Sequence, residues 1–164
     1  MDERRIGRHA DVAVVNEAGQ ALAVLRLTLG TLFVWVFFEN LHKGLYTPEG
    51  YAQLIGVYLT KGSAPGAWKQ VMRLAAEHAS VAAPLQEIAE LSFGVLLTLG
   101  LLTRLTAFAA GLFLASLWVS EWGTAWIWEL LVPISVAFAL AYGRAGRVWG
   151  LDGPLARRLP RLPL

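Results

Sequence analysis

Four long apolar runs, broken by short polar stretches, set the pattern of the chain. Residues 21–38 hold one charge, Arg26, and as a helix rising about 1.5 Å per residue they cover roughly 27 Å, close to a hydrocarbon core. Residues 85–104, LQEIAELSFGVLLTLGLLTR, carry Glu87 and Glu90 in their first turns and no further charge until Arg104. Residues 105–120 form a third run. The fourth, 126–142, has Glu129 in its first turn and Pro133 near its middle, a proline that a membrane helix tolerates as a kink. This pattern predicts an all-α integral membrane four-helix bundle with spans at about 21–40, 85–103, 105–120 and 126–142.

The connections differ in kind. The longest, 41–84, contains PEGYAQLIGVYLT and AWKQVMRLAAEHA at helical spacing, with Gly62, Pro65 and Gly66 between them. Neither piece is long or clean enough to cross, so two short amphipathic helices are expected on the membrane surface or capping the bundle. Pro84 suits the first turn of the second span, where its missing N–H costs nothing. Thr103 and Arg104 link spans two and three into an antiparallel hairpin, and SEWGTAW turns the chain into span four. Residues 1–20 form a polar lead-in. A secretory signal fits poorly here, because the first apolar run is long and is succeeded by FENLHKG rather than a small-residue cleavage site. Residues 143–164, rich in Arg and Pro, are expected to leave the bilayer at Gly143. Small residues recur four apart at Gly94 and Thr98, at Ala107, Gly111 and Ala115, and at Ser135 and Ala139, spacing that lets membrane helices approach closely.

Composition supports the reading. Of 164 residues 56% are apolar and 16% charged, against about 45–50% apolar in a typical soluble domain. A net charge of +2 gives no reason to expect a nucleic-acid partner. There is no cysteine, which excludes disulfides, thiolate nucleophiles and thiol redox relays. The bases Arg4, Arg5, Arg8 and Arg104 and the tail arginines fall on the side of the termini, whereas the opposite side holds only Lys43, Lys61, Lys69 and Arg73. The positive-inside rule then places both termini in the cytoplasm of a prokaryotic plasma membrane, with 41–84 outside.

Under that topology Glu39, Glu87, Glu90, Glu121 and Glu129 collect near the outward ends of the spans, together with His42 and Lys43. Glu90, the deepest, and Glu39 are the candidates for catalytic proton transfer, since carboxylates crowded in a low dielectric raise one another's pKa. Glu87 and Glu129 complete an acidic outer cluster, or else sit among headgroups at helix N-termini. Arg26 lies one turn inside its span with no acid expected at that depth. It either snorkels to headgroups or holds an anion, and Arg104, His42 and Lys43 join it as candidates for binding substrate or anion. ENLH, from Glu39 to His42, has the ExxH spacing of di-iron bundles, but that architecture needs two such motifs and further carboxylates, so no metal site is expected. The tryptophans and phenylalanines near the outward end, from Trp35 to Trp128, form an interfacial belt or line a flat ring pocket.

Several stretches together carry a resemblance. Arg26 with Gly30, the FENLHKGLYTPEGYAQLI segment, AELSFGVLLTLGLLTRLTA and the closing GRAGRVWGLDG with Asp152 resemble the DoxX family of small four-span membrane proteins. The likeness is nearest to the DoxD-like small subunit of thiosulfate:quinone oxidoreductase. It implies a membrane subunit that passes electrons to the quinone pool, from thiosulfate or another small reductant, beside one or more partner subunits or copies of itself. A quinone is the cofactor implied, and no intrinsic one is identifiable. Two further readings stay open: a non-catalytic anchor or assembly subunit whose outward connection docks a larger enzyme, and a small transporter, which the lack of an inverted repeat disfavours.

Overall fold

The computed structural model describes the backbone of residues 3–158 and the side chains of 17–158. The end of the tail, with Arg161, and the side chains of the first sixteen residues lie outside it. Among the described residues the chain is all-helical: α1 Glu3–His42, α2 Pro48–Lys61, α3 Gly66–Glu77, α4 Ala79–Leu99, α5 Thr103–Ser120, α6 Ile127–Tyr142, a single 3-10 turn Ala145–Arg147 and α7 Asp152–Arg158. Three segments are long and apolar enough to cross a membrane, Glu17–His42, Ala79–Leu99 and Thr103–Ser120, and α6 is a shorter apolar helix.

Helix α1 packs along α4 and α5 along α6, while α1 also meets α6 and α4 meets α5. The small residues permit this closeness. A Cβ added to Gly30 would lie 2.6 Å from the Thr98 hydroxyl and 2.8 Å from its backbone nitrogen, so α1 and α4 touch through their backbones there. Between α5 and α6, the bare face of Gly111 receives the Phe138 ring. Leu29, Phe33, Leu97, Ala107, Ala110, Leu114, Ala137 and Leu140 make the core where these four helices meet.

Helices α2 and α3 cap one end. Pro48 opens α2 behind an N-cap, Thr47, whose hydroxyl accepts from the Gly50 N–H. The pair builds its own small core from Tyr51, Ile55, Ala64 and Met72 against Ala79 and Ala83 of α4. The Ser63 N–H donates to the Trp122 carbonyl, tying the α2–α3 loop to the α5–α6 turn.

Three boundaries differ from the sequence pattern. Helix α1 continues back through the polar lead-in to Glu3. Helix α4 begins at Ala79, so Pro84 lies inside it rather than in its first turn, because the chain turns only at His78 between α3 and α4. Helix α5 already starts at Thr103, and the turn before it is Gly100 to Leu102. Gly100 sits in the left-handed region at φ 64°, and the Gly100 and Leu101 N–H groups return to the Leu97 and Leu96 carbonyls, the paired bonds of a Schellman ending.

Candidate functional site

The two ends of the helix assembly have opposite chemistry. At the end capped by α2 and α3, a cavity of about 700 Å³ opens between the cap and α1, α4, α5 and α6. Its walls are mostly apolar, with Phe33, Leu54, Ile55, Met72, Phe113 and Leu114 among them. Its polar groups are Asn40, Lys43, Tyr58, Trp68, Gln86, Ser120 and three carboxylates, Glu90, Glu121 and Glu129. A large apolar hollow with few convergent polar groups is the usual form of a small-molecule site.

Glu90 is 1% exposed and is held by three donors. One carboxylate oxygen accepts from Asn40 Nδ2 at 2.9 Å and the Tyr46 hydroxyl at 2.6 Å, the other from Gln86 Nε2 at 2.8 Å. Gln86 is one turn earlier on the same helix. Tyr46 comes from the loop after α1 and is fixed by stacking on Phe37 at 5.5 Å between centroids. Burial, and then the bond to Glu90, raise the Tyr46 phenol above its ordinary pKa, so it stays a donor. A carboxylate offers about four acceptor positions. Three are occupied, which leaves one.

Glu121 is placed differently. It ends α5, and one of its oxygens accepts from the Tyr58 hydroxyl of α2 at 2.8 Å. Burial pushes its carboxyl up from the ordinary value and the Glu129 charge adds to this, while the Tyr58 bond pulls the other way. Tyr58 is raised in turn by burial and by Glu121. Nearby, Trp68 Nε1 donates to Ser120 Oγ at 2.9 Å, which pins α3 onto the end of α5. The cavity thus holds two carboxylates in different settings, Glu90 supplied with three donors and Glu121 desolvated beside a like charge.

The opposite end is built around Arg26, fully buried at 0% exposure. Its Nη1 donates to the Leu97 and Thr98 carbonyls at 2.5 and 2.9 Å, and its Nη2 to the Trp149 and Val148 carbonyls at 2.8 and 3.5 Å. Gly100 is needed here twice over: besides its φ, an added Cβ would lie 2.6 Å from Arg26 Nη1. Backbone N–H groups of the tail complete the ending of α4, Leu151 to the Leu99 carbonyl at 3.1 Å and Asp152 to that of Gly100 at 2.9 Å. Asp152, 1% exposed, accepts from the N–H groups of Leu102 at 2.7 Å and Thr103 at 2.9 Å, and so caps α5. The carbonyls left open where α4 stops and two of the amides left open where α5 starts thus find partners inside the protein, as buried helix ends require.

The family model described as "TQO small subunit DoxD" matches residues 22–162, from just before Arg26 to past Asp152. The chain belongs to the DoxD family. No curated protein and no solved structure matches it. With its apolar helices, this DoxD-family chain is a membrane protein, and membership of a small-subunit family implies lipid and partner subunits around it.

The DoxD-family chain brings together only part of the candidate set read from its sequence. Glu90 and Glu129 line the same cavity, and so does Lys43. Glu39 does not: it is half-exposed and pairs with Lys43 at 2.5 Å on the surface, one turn apart on the helix. His42 is exposed, and Glu87 is half-buried and off the cavity wall. Arg26 spends both terminal nitrogens on carbonyls of its own chain, and an acid does lie near its depth after all: Asp152, whose charge acts on it. Arg104 is likewise engaged internally, its Nε donating to the Ala141 carbonyl of α6 at 3.1 Å. The tail does not simply leave at Gly143 but straps back over this end. Asn40, Tyr46, Tyr58, Trp68 and Gln86 belong to the site without any motif to mark them; only Gln86, four residues before Glu90 on one helix face, has a local signal. Among the described residues no group of three or more His, Cys, Asp or Glu side chains is placed to hold a metal.

Proposed function

We propose that this chain is the membrane subunit of a thiosulfate:quinone oxidoreductase-type complex, and that the cavity at the Glu90 end takes the ring of a quinone. Four helices, α1, α4, α5 and α6, cross the bilayer as a bundle, with Trp126 and Tyr142 bounding the short fourth span. Both termini are cytoplasmic and the cavity lies at the outer face. The observation that carries the reading is Glu90: a buried carboxylate held by three donors, with one acceptor position left, on the wall of an apolar hollow of about 700 Å³. A quinol hydroxyl donates to such a group, and apolar walls with the Phe33 and Phe113 rings suit a flat apolar ring.

The charges argue about the reductant. Three carboxylates line the cavity, and its one base, Lys43, already pairs with Glu39. A sulfur oxyanion is disfavoured there by like charge. The electrons therefore come from a partner subunit that handles the small reductant, and this chain supplies the quinone end.

The test is binding and turnover together. The complex, purified in detergent and supplied with decylubiquinone, is expected to bind the quinone saturably and to reduce it with thiosulfate. Glu90→Gln puts a donor where an acceptor is needed, and is expected to weaken quinol binding by roughly tenfold or more, the loss of one charge-assisted hydrogen bond of about 1.5–3 kcal/mol. A wild-type chain that binds no quinone yet co-purifies with a soluble enzyme would instead make it an anchor.

A further inference from the structure

A second, smaller cleft of about 190 Å³ lies at the α5–α6 turn, walled by Trp118, Trp122, Gly123, Ala125, Trp126 and Ile127. Trp122 and Trp126 are exposed at 49% and 66%, so the cleft opens at the surface. Among the described residues one lines both this cleft and the main cavity: Glu121. Glu121 thus joins the walls of the hollow and the cleft, and its carboxyl accepts from the Tyr58 hydroxyl.

We propose that Glu121 is the proton donor to a quinone bound in the main cavity, and that the tryptophan-walled cleft is its route to water. This rests on the quinone reading above. Quinone plus two electrons plus two protons gives quinol. The electrons come from the sulfur reductant through the partner subunit, and each new O–H bond on the ring breaks an O–H bond at Glu121, which the aqueous phase restores through the cleft. Glu90 does not serve as the donor, because its oxygens already accept three hydrogen bonds. It accepts from the finished quinol. The charged and titratable groups on the surrounding elements are Tyr58 and Lys61 of α2, Lys69 of α3, Glu129 of α6, and Glu90 and Lys43 across the cavity. Lys69 gives its ammonium to the Leu59 and Gly62 carbonyls, at 3.3 and 2.8 Å. Glu129 therefore has the dominant charge effect on Glu121, and it disfavours ionisation.

The experiment compares thiosulfate-driven decylubiquinone reduction by the complex against pH for wild type, Glu121→Gln, Glu129→Gln and the exposed control Glu77→Gln. Decylubiquinone binding is measured alongside. Glu121→Gln is expected to bind the quinone as wild type does but to turn over about 10²-fold or more slowly, the usual worth of a positioned acid. In wild type the rate falls as pH rises through the Glu121 titration. Removing the like charge in Glu129→Gln lowers that pKa, so the fall moves to lower pH, while Glu77→Gln matches wild type. Wild-type rate and profile in Glu121→Gln with quinone bound would overturn the proposal and leave the quinone site standing; failure of wild type to bind quinone would remove both. Should Glu121→Gln not assemble, infrared titration of the wild-type complex decides. A protonated carboxyl band that changes on adding decylubiquinone supports the proposal, and its absence overturns it.

Discussion

Replacing Asp152 tests whether the strap from the tail holds the Arg26 end together. Its carboxylate is 1% exposed and accepts two backbone N–H bonds, from Leu102 at 2.7 Å and Thr103 at 2.9 Å. Asp152→Ala removes both, and each stranded buried donor costs about 1–3 kcal/mol. Thr103 is fully buried and Leu102 is 38% exposed, so the Thr103 bond counts in full and the Leu102 bond in part. The sum is about 3 kcal/mol, a large share of the roughly 5–15 kcal/mol that holds a domain folded. Asp152→Asn keeps one acceptor oxygen and turns an amide N–H₂ against the other donor, so it loses about half as much, roughly 1.5 kcal/mol. Reversible unfolding in mixed micelles, titrated with a denaturing detergent and followed by helical circular dichroism, reads both. The order wild type, Asn, Ala is required. An Asp152→Ala chain as stable as wild type would mean that the strap contributes nothing, and the role given to the tail would fall.

Two further outcomes rest on other contacts. Gly30→Val drives a branched side chain into the Thr98 backbone and must separate α1 from α4, so a loss of about 1–3 kcal/mol or more is expected in the same unfolding assay, with Gly111→Ala milder because the Phe138 ring can shift. Stability should also depend on pH through Glu121: its folded pKa is raised, so the native state binds the proton more tightly and stability declines as pH rises from the ordinary glutamate range through the folded value. Glu121→Gln should flatten that slope in melting curves measured across pH; an unchanged slope would show that Glu121 is not the group responsible.

The elements are legible in the sequence wherever local rules decide them. Thr47 and Pro48 announce α2, the run around Arg26 announces α1, and Gly94 with Thr98 marks the face on which α1 sits. Hydropathy misplaces the turn between α4 and α5, because Leu101 and Leu102 are as apolar as the helices they join, although Leu102 as well as Gly100 takes a left-handed φ there. The tail misleads for the converse reason. Its polarity suggests a free segment, whereas its value lies in backbone groups and one carboxylate whose partners are some fifty residues away. The cavity obeys the same rule. Glu90 stands out as a deep acid, but the Tyr46 and Asn40 that hold it come from the end of α1 and its loop, and the joining of Glu121 to Tyr58 depends on how α2 folds over the end of α5.

The strap also orders biogenesis. Two carbonyl partners of Arg26, and the cap that completes α5, belong to residues 148–152, which the ribosome makes only after α1, α4 and α5. Until then the start of α5 has open amides and the Arg26 guanidinium is only half satisfied. Quality control that senses unfinished helix ends would therefore see every copy as incomplete until Asp152 is made, and a chain stopped at Gly143 would stay in that state for good.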